Sequence, residues 1–258
     1  KAKGGIFEAA KACMDALDGA YSIVMLVGGK LVAIRDPYAI KPICFSQTKD
    51  AIAFASESVA LDINRMPLSG FLAPGEIVVV SEGGRIERRV VKAMREAHCM
   101  FEYVYFARPD SNLDGKLVYD VRVELRKRLA KRQPVEADIV VPVPDTARPA
   151  ALGYSQESGI QLVEGLIKNR YVGRTFIMGS QAKRDLAVRL KLNAVGPLVE
   201  GKRVVVVDDS IVRGTTSGPI VQLLRDAGAK EIHVRITCPP IIGPCFYGID
   251  LPTYKELV

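Results

Sequence analysis

Four consecutive valines, Val204 to Val207, run directly into two carboxylates, Asp208 and Asp209, and this segment restricts the possible folds more than any other. A β-branched run without polar alternation suits a strand buried on both faces, as in a parallel sheet covered by helices. Ala137–Val143 has the same character, and Glu231–Ile236 reads as a third strand. Helical patterns fall between them: Ala150–Glu157, Lys183–Leu192, and Ser217–Ala227 closed by Gly228. Ahead of them, Leu117, Val121, Leu125 and Leu129 lie four apart on one helical face, so the basic run Arg122 to Arg132 is expected on a solvated one. Strand, helix and strand at this spacing form right-handed βαβ units, so an open parallel α/β sheet is expected after residue 97.

Before residue 97 the texture differs. Ile6–Leu17 reads as a helix whose apolar face carries Ile6, Ala9, Ala10, Cys13, Met14 and Leu17. Short strands are expected at Ser22–Val27, Leu31–Arg35, Ile43–Ser46, Ile52–Ala55 and Ile77–Val80, with Gly28-Gly29-Lys30 as a hairpin turn. A helix with a run of antiparallel strands is an α+β layer. The expected division is therefore 1–97 and 98–258, well within what 258 residues can supply as two cores.

An ordinary apolar fraction, 48%, excludes a disordered chain, and the apolar runs are far shorter than the ~18–20 residues of a membrane span. The segment from Lys1 lacks the pattern of a secretory signal. Five cysteines without a Cys-x-x-Cys pair do not describe a disulfide framework, which points to reduced, buried thiols in a cytoplasmic protein. The net charge of +7 is spread along the chain, and its tighter clusters suit phosphate better than nucleic acid, so neither a nucleic-acid nor a membrane partner is expected.

The chemistry gathers where Val207 gives way to Asp208, Asp209 and Ser210, followed by Arg213, Gly214, Thr215, Thr216 and Ser217. The end of a buried parallel strand is where open α/β sheets bind ligands, and a helix N-terminus offers unpaired N–H groups and positive potential to a phosphate. Gly214 permits close backbone approach, and the hydroxyls can donate to phosphate oxygens. The acidic pair suits sugar hydroxyls, a metal ion, or both. Strand and turn caps would account for one or two of these residues and not for the set.

This segment resembles the phosphoribosyl pyrophosphate (PRPP) signature of the type I phosphoribosyltransferases, in the version found in the amidophosphoribosyltransferase family. Stretches 99–111, 168–177, 188–193 and 244–250 resemble further signatures of that family in the same order, while Arg35-Asp36-Pro37 and Ala55-Ser56-Glu57-Ser58 are similar to its glutaminase domain. The resemblance implies a type I phosphoribosyltransferase domain preceded by part of an Ntn-hydrolase (class II glutaminase) domain. It implies that Asp208 and Asp209 serve the ribose hydroxyls and Mg²⁺, that Ser210 to Ser217 surround the 5′-phosphate, and that Asp145 and Thr146 belong to the pyrophosphate loop, with the Thr146 hydroxyl on Mg²⁺. The family usually reads Ser-Gly-Arg after Pro-Asp, whereas this chain has Thr146-Ala147-Arg148. Lys168, Arg170, Tyr171 and Arg174 match the lid over PRPP.

The implied reaction is PRPP with glutamine and water giving 5-phosphoribosylamine, glutamate and pyrophosphate, at the start of purine synthesis. The resemblance further implies purine-nucleotide feedback, a homo-oligomer, and, in one branch, a [4Fe–4S] cluster for which Cys99 and Cys245 match two of four ligands. The family's glutaminase uses an N-terminal Cys and an Asn-Gly segment; neither is found here, so the chain as given is expected to act only with ammonia. A non-catalytic PRPP or nucleotide sensor is the alternative from another class, and a base-salvage transferase is another enzyme alternative.

Overall fold

A computed structural model describes residues 5–169, 171, 190–212, 214, 216–249, 251 and 253–257. They fall into two compact units, Lys1–Val118 with Cys245–Asp250, and Tyr119–Pro244 with Leu251–Val258. Residue 97 thus lies inside the first unit, because segment 98–118 is tied back to what precedes it. Arg35 grips Asp114 through two bonds of 2.7 Å, Lys41 Nζ donates to Glu102 Oε1 at 2.8 Å, and Ser111 Oγ donates to Glu57 Oε2 at 2.6 Å. The residues that resemble a glutaminase, Arg35 and Glu57, therefore hold this segment in place.

The first unit opens with α1 (Ile6–Ala16) and continues through β1 (Ser22–Val27), β2 (Lys30–Arg35), β3 (Cys44–Gln47), β4 (Ile52–Ala55), α2 (Ser58–Ile63), β5 (Gly70–Phe71), β6 (Glu76–Val80) and β7 (Ile86–Val90). Two antiparallel sheets result, ordered β1-β2-β6-β7 and β4-β3-β5. Gly28 and Gly29 both have positive φ, 54° and 74°, as the tight hairpin between β1 and β2 requires. β2 and β6 are covered on both faces. Val32, Ile34, Ile77 and Val79 pack against Ala10 and Met14 of α1, and Ala33, Val78 and Val80 pack against Ile43, Phe45 and Leu72.

The face expected for α1 is corrected. Its buried line runs through Ala10 and Met14, flanked by the half-buried Ile6 and Phe7, which turns Cys13 outward. Leu17 has already left the helix with an extended backbone and is likewise exposed. Cys44 and Cys238 are buried as expected, while Cys99 and Cys245 are half-buried.

A short hairpin, β8 (Asn112–Leu113) and β9 (Lys116–Leu117), leads into α3 (Val118–Arg132). The second unit continues with β10 (Ile139–Pro142), α4 (Arg148–Ser158), β11 (Gln161–Leu162), β12 (Leu166–Lys168), β13 (Leu192–Ala194), β14 (Arg203–Asp208), α5 (Ser217–Asp226) and β15 (Glu231–Ile236). Its main sheet is parallel throughout, ordered β11-β10-β14-β15. Val204 to Val207 are all buried at its centre, as an apolar run at the middle of a doubly covered sheet must be. Of the helix expected over Lys183–Leu192, residues 183–189 lie outside the described residues. Leu192 instead opens β13, which pairs antiparallel with β12.

The face expected for α3 is also corrected. Leu117 is exposed, Val121, Leu125 and Leu129 are half-buried, and the buried line is Val118, Arg122, Arg126 and Ala130. The stripe is displaced by one residue, and two arginines stand where an apolar face was expected.

Candidate functional site

β10 and β14 are neighbours in register, with Pro142 opposite Val207, so the loops that follow them leave the sheet side by side. This juxtaposition brings Thr146 to Asp209. Thr146 Oγ1 donates to Asp209 Oδ2 at 2.5 Å, and Ser210 Oγ donates to Asp209 Oδ1 at 2.7 Å, so both oxygens of this buried carboxylate are engaged. Asp208 Oδ1 accepts the backbone N–H of Asp209 at 2.8 Å. Burial first, and the adjacent Asp209 charge second, push the Asp208 carboxyl up to about 7 from 3.8, while that N–H and Arg126 act in the opposite direction.

Between about pH 4 and 7 the folded protein holds a proton on Asp208 that the unfolded chain has released, so stability falls as pH rises through that window. The melting temperature of ligand-free protein should drop from pH 5 to pH 8, and Asp208→Asn should flatten the profile. Calorimetry across that range checks this, and an unchanged slope in the variant would contradict it.

α5 begins immediately beyond. Gly214 has φ 64°, Thr216 precedes the helix without capping it through its side chain, and Ser217 is the first helical residue. Within the first turn Gly218 N–H donates to the Gly214 carbonyl at 3.4 Å and Pro219 has no N–H, so the donors nearest the helix start are the Ser217 N–H and the hydroxyls of Thr216 and Ser217. Arg213 and Thr215 lie outside the described residues.

Asp145 is exposed, and its Oδ2 accepts from Lys168 Nζ at 2.6 Å. These two predicted ligand-binding residues therefore pair with each other here. Arg148 shares the arrangement, 3.4 Å from Asp145 and 3.2 Å from Glu164. Tyr171 projects fully into solvent, and Arg170 and Arg174 lie outside the described residues.

Two residues that the sequence pattern did not single out lie beneath this site. Arg122 Nη1 reaches the Thr146 carbonyl at 3.5 Å, and Arg126 Nη2 donates to the Asp208 carbonyl. Burial pulls the Arg126 guanidinium down to about 9, against the favourable pull of Asp208 and Asp209, so it remains charged at neutral pH. Their four-residue spacing, in line with Val118 and Ala130, was the available signal.

Cys99 and Cys245 both belong to the first unit. Among the described residues, no group of three or more His, Cys, Asp or Glu side chains could hold a metal ion. Two thiolates do not complete a four-iron cluster, so the described residues do not fit one. Nor, among the described residues, is any helix long and apolar enough to cross a membrane.

A parallel sheet whose strand ends carry an acidic pair and a hydroxyl-bearing loop leading into a helix defines the second unit as a phosphoribosyltransferase-class domain. In agreement, residues 119–241 match the phosphoribosyl transferase domain model, and residues 3–62 match the glutamine amidotransferase domain model. The amidophosphoribosyltransferase of Methanocaldococcus jannaschii is 51% identical over 97% of this chain and 56% of its own length; that of Bacillus subtilis is 47% identical over 96% and 52%. The structure of the glutamine PRPP amidotransferase from B. subtilis complexed with ADP and GMP superposes with a TM-score of 0.91 at 45% identity, covering 100% of this chain and 57% of that one. The chain is similar to amidophosphoribosyltransferases over nearly its whole length, and it spans about half the length of the curated relatives it matches.

Proposed function

We propose that the protein is an amidophosphoribosyltransferase, forming 5-phosphoribosylamine, glutamate and pyrophosphate from PRPP, glutamine and water in purine synthesis, and that the chain as given performs the ammonia-dependent half. The observation that carries this reading is the Asp208–Asp209 pair, tied to Thr146 at the ends of two adjacent parallel strands and followed by the loop into α5.

In this reading Asp208 and Asp209 orient the ribose hydroxyls, while Ser210, Gly214, Thr216, Ser217 and the neighbouring Arg213 and Thr215 hold the 5′-phosphate. Asp145, Lys168, Arg170, Tyr171 and Arg174 attend the pyrophosphate, with Lys168 exchanging its Asp145 partner for a phosphate oxygen. Mg²⁺ suits Asp208, Asp209 and the Thr146 hydroxyl, an all-oxygen set of the kind a hard cation prefers, and it supplies neutralisation of the leaving pyrophosphate. Fixed positive groups and excluded water favour the charge that develops as the bond at C1 opens. Functionally, residues 1–97 are assigned to the glutaminase part and 98–258 to the phosphoribosyl part.

Purine nucleotides are the proposed inhibitors, by analogy with the ADP and GMP bound to the B. subtilis protein. A cytoplasmic homo-oligomer is proposed as well. A [4Fe–4S] cluster is proposed only with two further thiolates beyond Cys99 and Cys245, and no step is routed through it. The sensor and salvage alternatives are not favoured, because this chain matches both domain models and the relatives it resembles are named amidophosphoribosyltransferase.

The test is pyrophosphate release from PRPP with Mg²⁺ and ammonium. Release that depends on ammonium is expected. PRPP binding without release would support the sensor instead.

A further inference from the structure

Helix α3 turns two guanidinium groups, one helical turn apart, into the interior of the second unit, with Arg122 1% and Arg126 0% exposed. Each reaches the main chain beneath the site. The carbonyls they approach belong to Thr146 and Asp208, whose side chains are the proposed oxygen ligands. Arg126 is the more telling of the two, because its Nε and Nη1 are buried with no hydrogen-bond partner among the described residues. An apolar side chain would fill that space without the desolvation cost of a charge. The groups that act electrostatically on Arg126 are Asp208, Asp209 and Tyr154, with Arg235 opposing them.

We infer that Arg126 is a positioning residue for PRPP: it grips the main-chain carbonyl of Asp208 and so holds the strand end at which both carboxylates meet the ribose and its divalent cation. Arg122 performs the corresponding task at the Thr146 carbonyl. This inference rests on the phosphoribosyl reading of the site. It explains why the inward line of α3 is not apolar.

The experiment compares Arg126→Met, Arg126→Lys and Asp208→Asn/Asp209→Asn in the intact protein. It reads melting temperature, calorimetric PRPP affinity with Mg²⁺, and kcat and KM for PRPP with ammonium. A purely structural defect would lower the active fraction and kcat while leaving KM in place. The expected result is that Arg126→Met melts at or above the wild-type temperature, with PRPP affinity weakened and KM raised at least about tenfold, and that Arg126→Lys recovers part of both. Affinity and KM within twofold of wild type in Arg126→Met would overturn the inference. If Arg126→Met does not fold, Arg126→Lys decides: KM raised threefold or more supports the inference, and an unchanged KM overturns it. Loss of PRPP binding in the Asp208/Asp209 variant with full binding in Arg126→Met would remove the role of Arg126 alone. Full binding in both would remove the site reading as well.

Discussion

Replacing Asp208 and Asp209 together by asparagine is expected to lower ammonia-dependent turnover of PRPP on the order of a thousandfold, about 4 kcal/mol of lost transition-state stabilisation. The substitution keeps side-chain volume, and an Asn carbonyl at 209 can still accept one of the bonds from Thr146 or Ser210, so the loops should hold. What disappears is negative charge facing the sugar and the divalent cation. Stability should move the other way. Asp208 is held well above the ordinary carboxylate range by burial and by Asp209, so the ligand-free protein should lose a penalty and melt at the same temperature or higher at pH 8. A stable but inactive variant separates function from folding, and a stable, fully active one would remove these carboxylates from the chemistry. Steady-state assays with pyrophosphate detection read the effect.

Gly153→Val is expected to act on the scaffold. Gly153 lies in α4, where alanine would ordinarily be favoured over glycine by up to about 1 kcal/mol. Here a Cβ would stand 2.3 Å from the Val123 carbonyl oxygen and 2.9 Å from its carbonyl carbon. Both are backbone atoms of α3, so no side-chain rotation relieves the overlap and the helices must separate. Overpacking of this kind costs roughly 1–3 kcal/mol, more than helix propensity returns, so the melting temperature should fall by about 5–10 °C. Separation would also draw Arg122 and Arg126 away from the Thr146 and Asp208 carbonyls, so PRPP affinity should weaken alongside stability. Differential scanning calorimetry checks the first effect, and a variant melting at or above wild type would contradict it.

Strand positions were legible because burial on two faces leaves a direct trace in sequence. Val204 to Val207 could hardly be placed elsewhere than in the centre of a covered sheet, and Ser22–Val27, Ile52–Ala55 and Glu231–Ile236 form strands over the expected residues. Helix faces were less legible. In α3 the lines 117/121/125/129 and 118/122/126/130 differ by one residue, and hydropathy selects the first. The fold takes the second because buried carbonyls and the acidic pair compensate two arginines, a tertiary effect that no local pattern records. Cys13 shows the same limit on a smaller scale, since 3.6-residue periodicity leaves the margin of a stripe ambiguous. The acidic pair and the hydroxyl loop were visible as a motif, whereas the pairing of Lys168 with Asp145 depends on residues 23 apart in sequence meeting in space. The boundary between units also depends on such contacts, with Asp114 and Ser111 returning to Arg35 and Glu57.

The most direct measurement is calorimetric titration of PRPP with Mg²⁺ into the wild-type protein and the Asp208→Asn/Asp209→Asn variant. One PRPP bound per chain by the wild type, with binding lost in the variant, is the predicted result. No binding by the folded wild type, or equal affinity in the two proteins, would contradict the assignment of this strand end as the PRPP site.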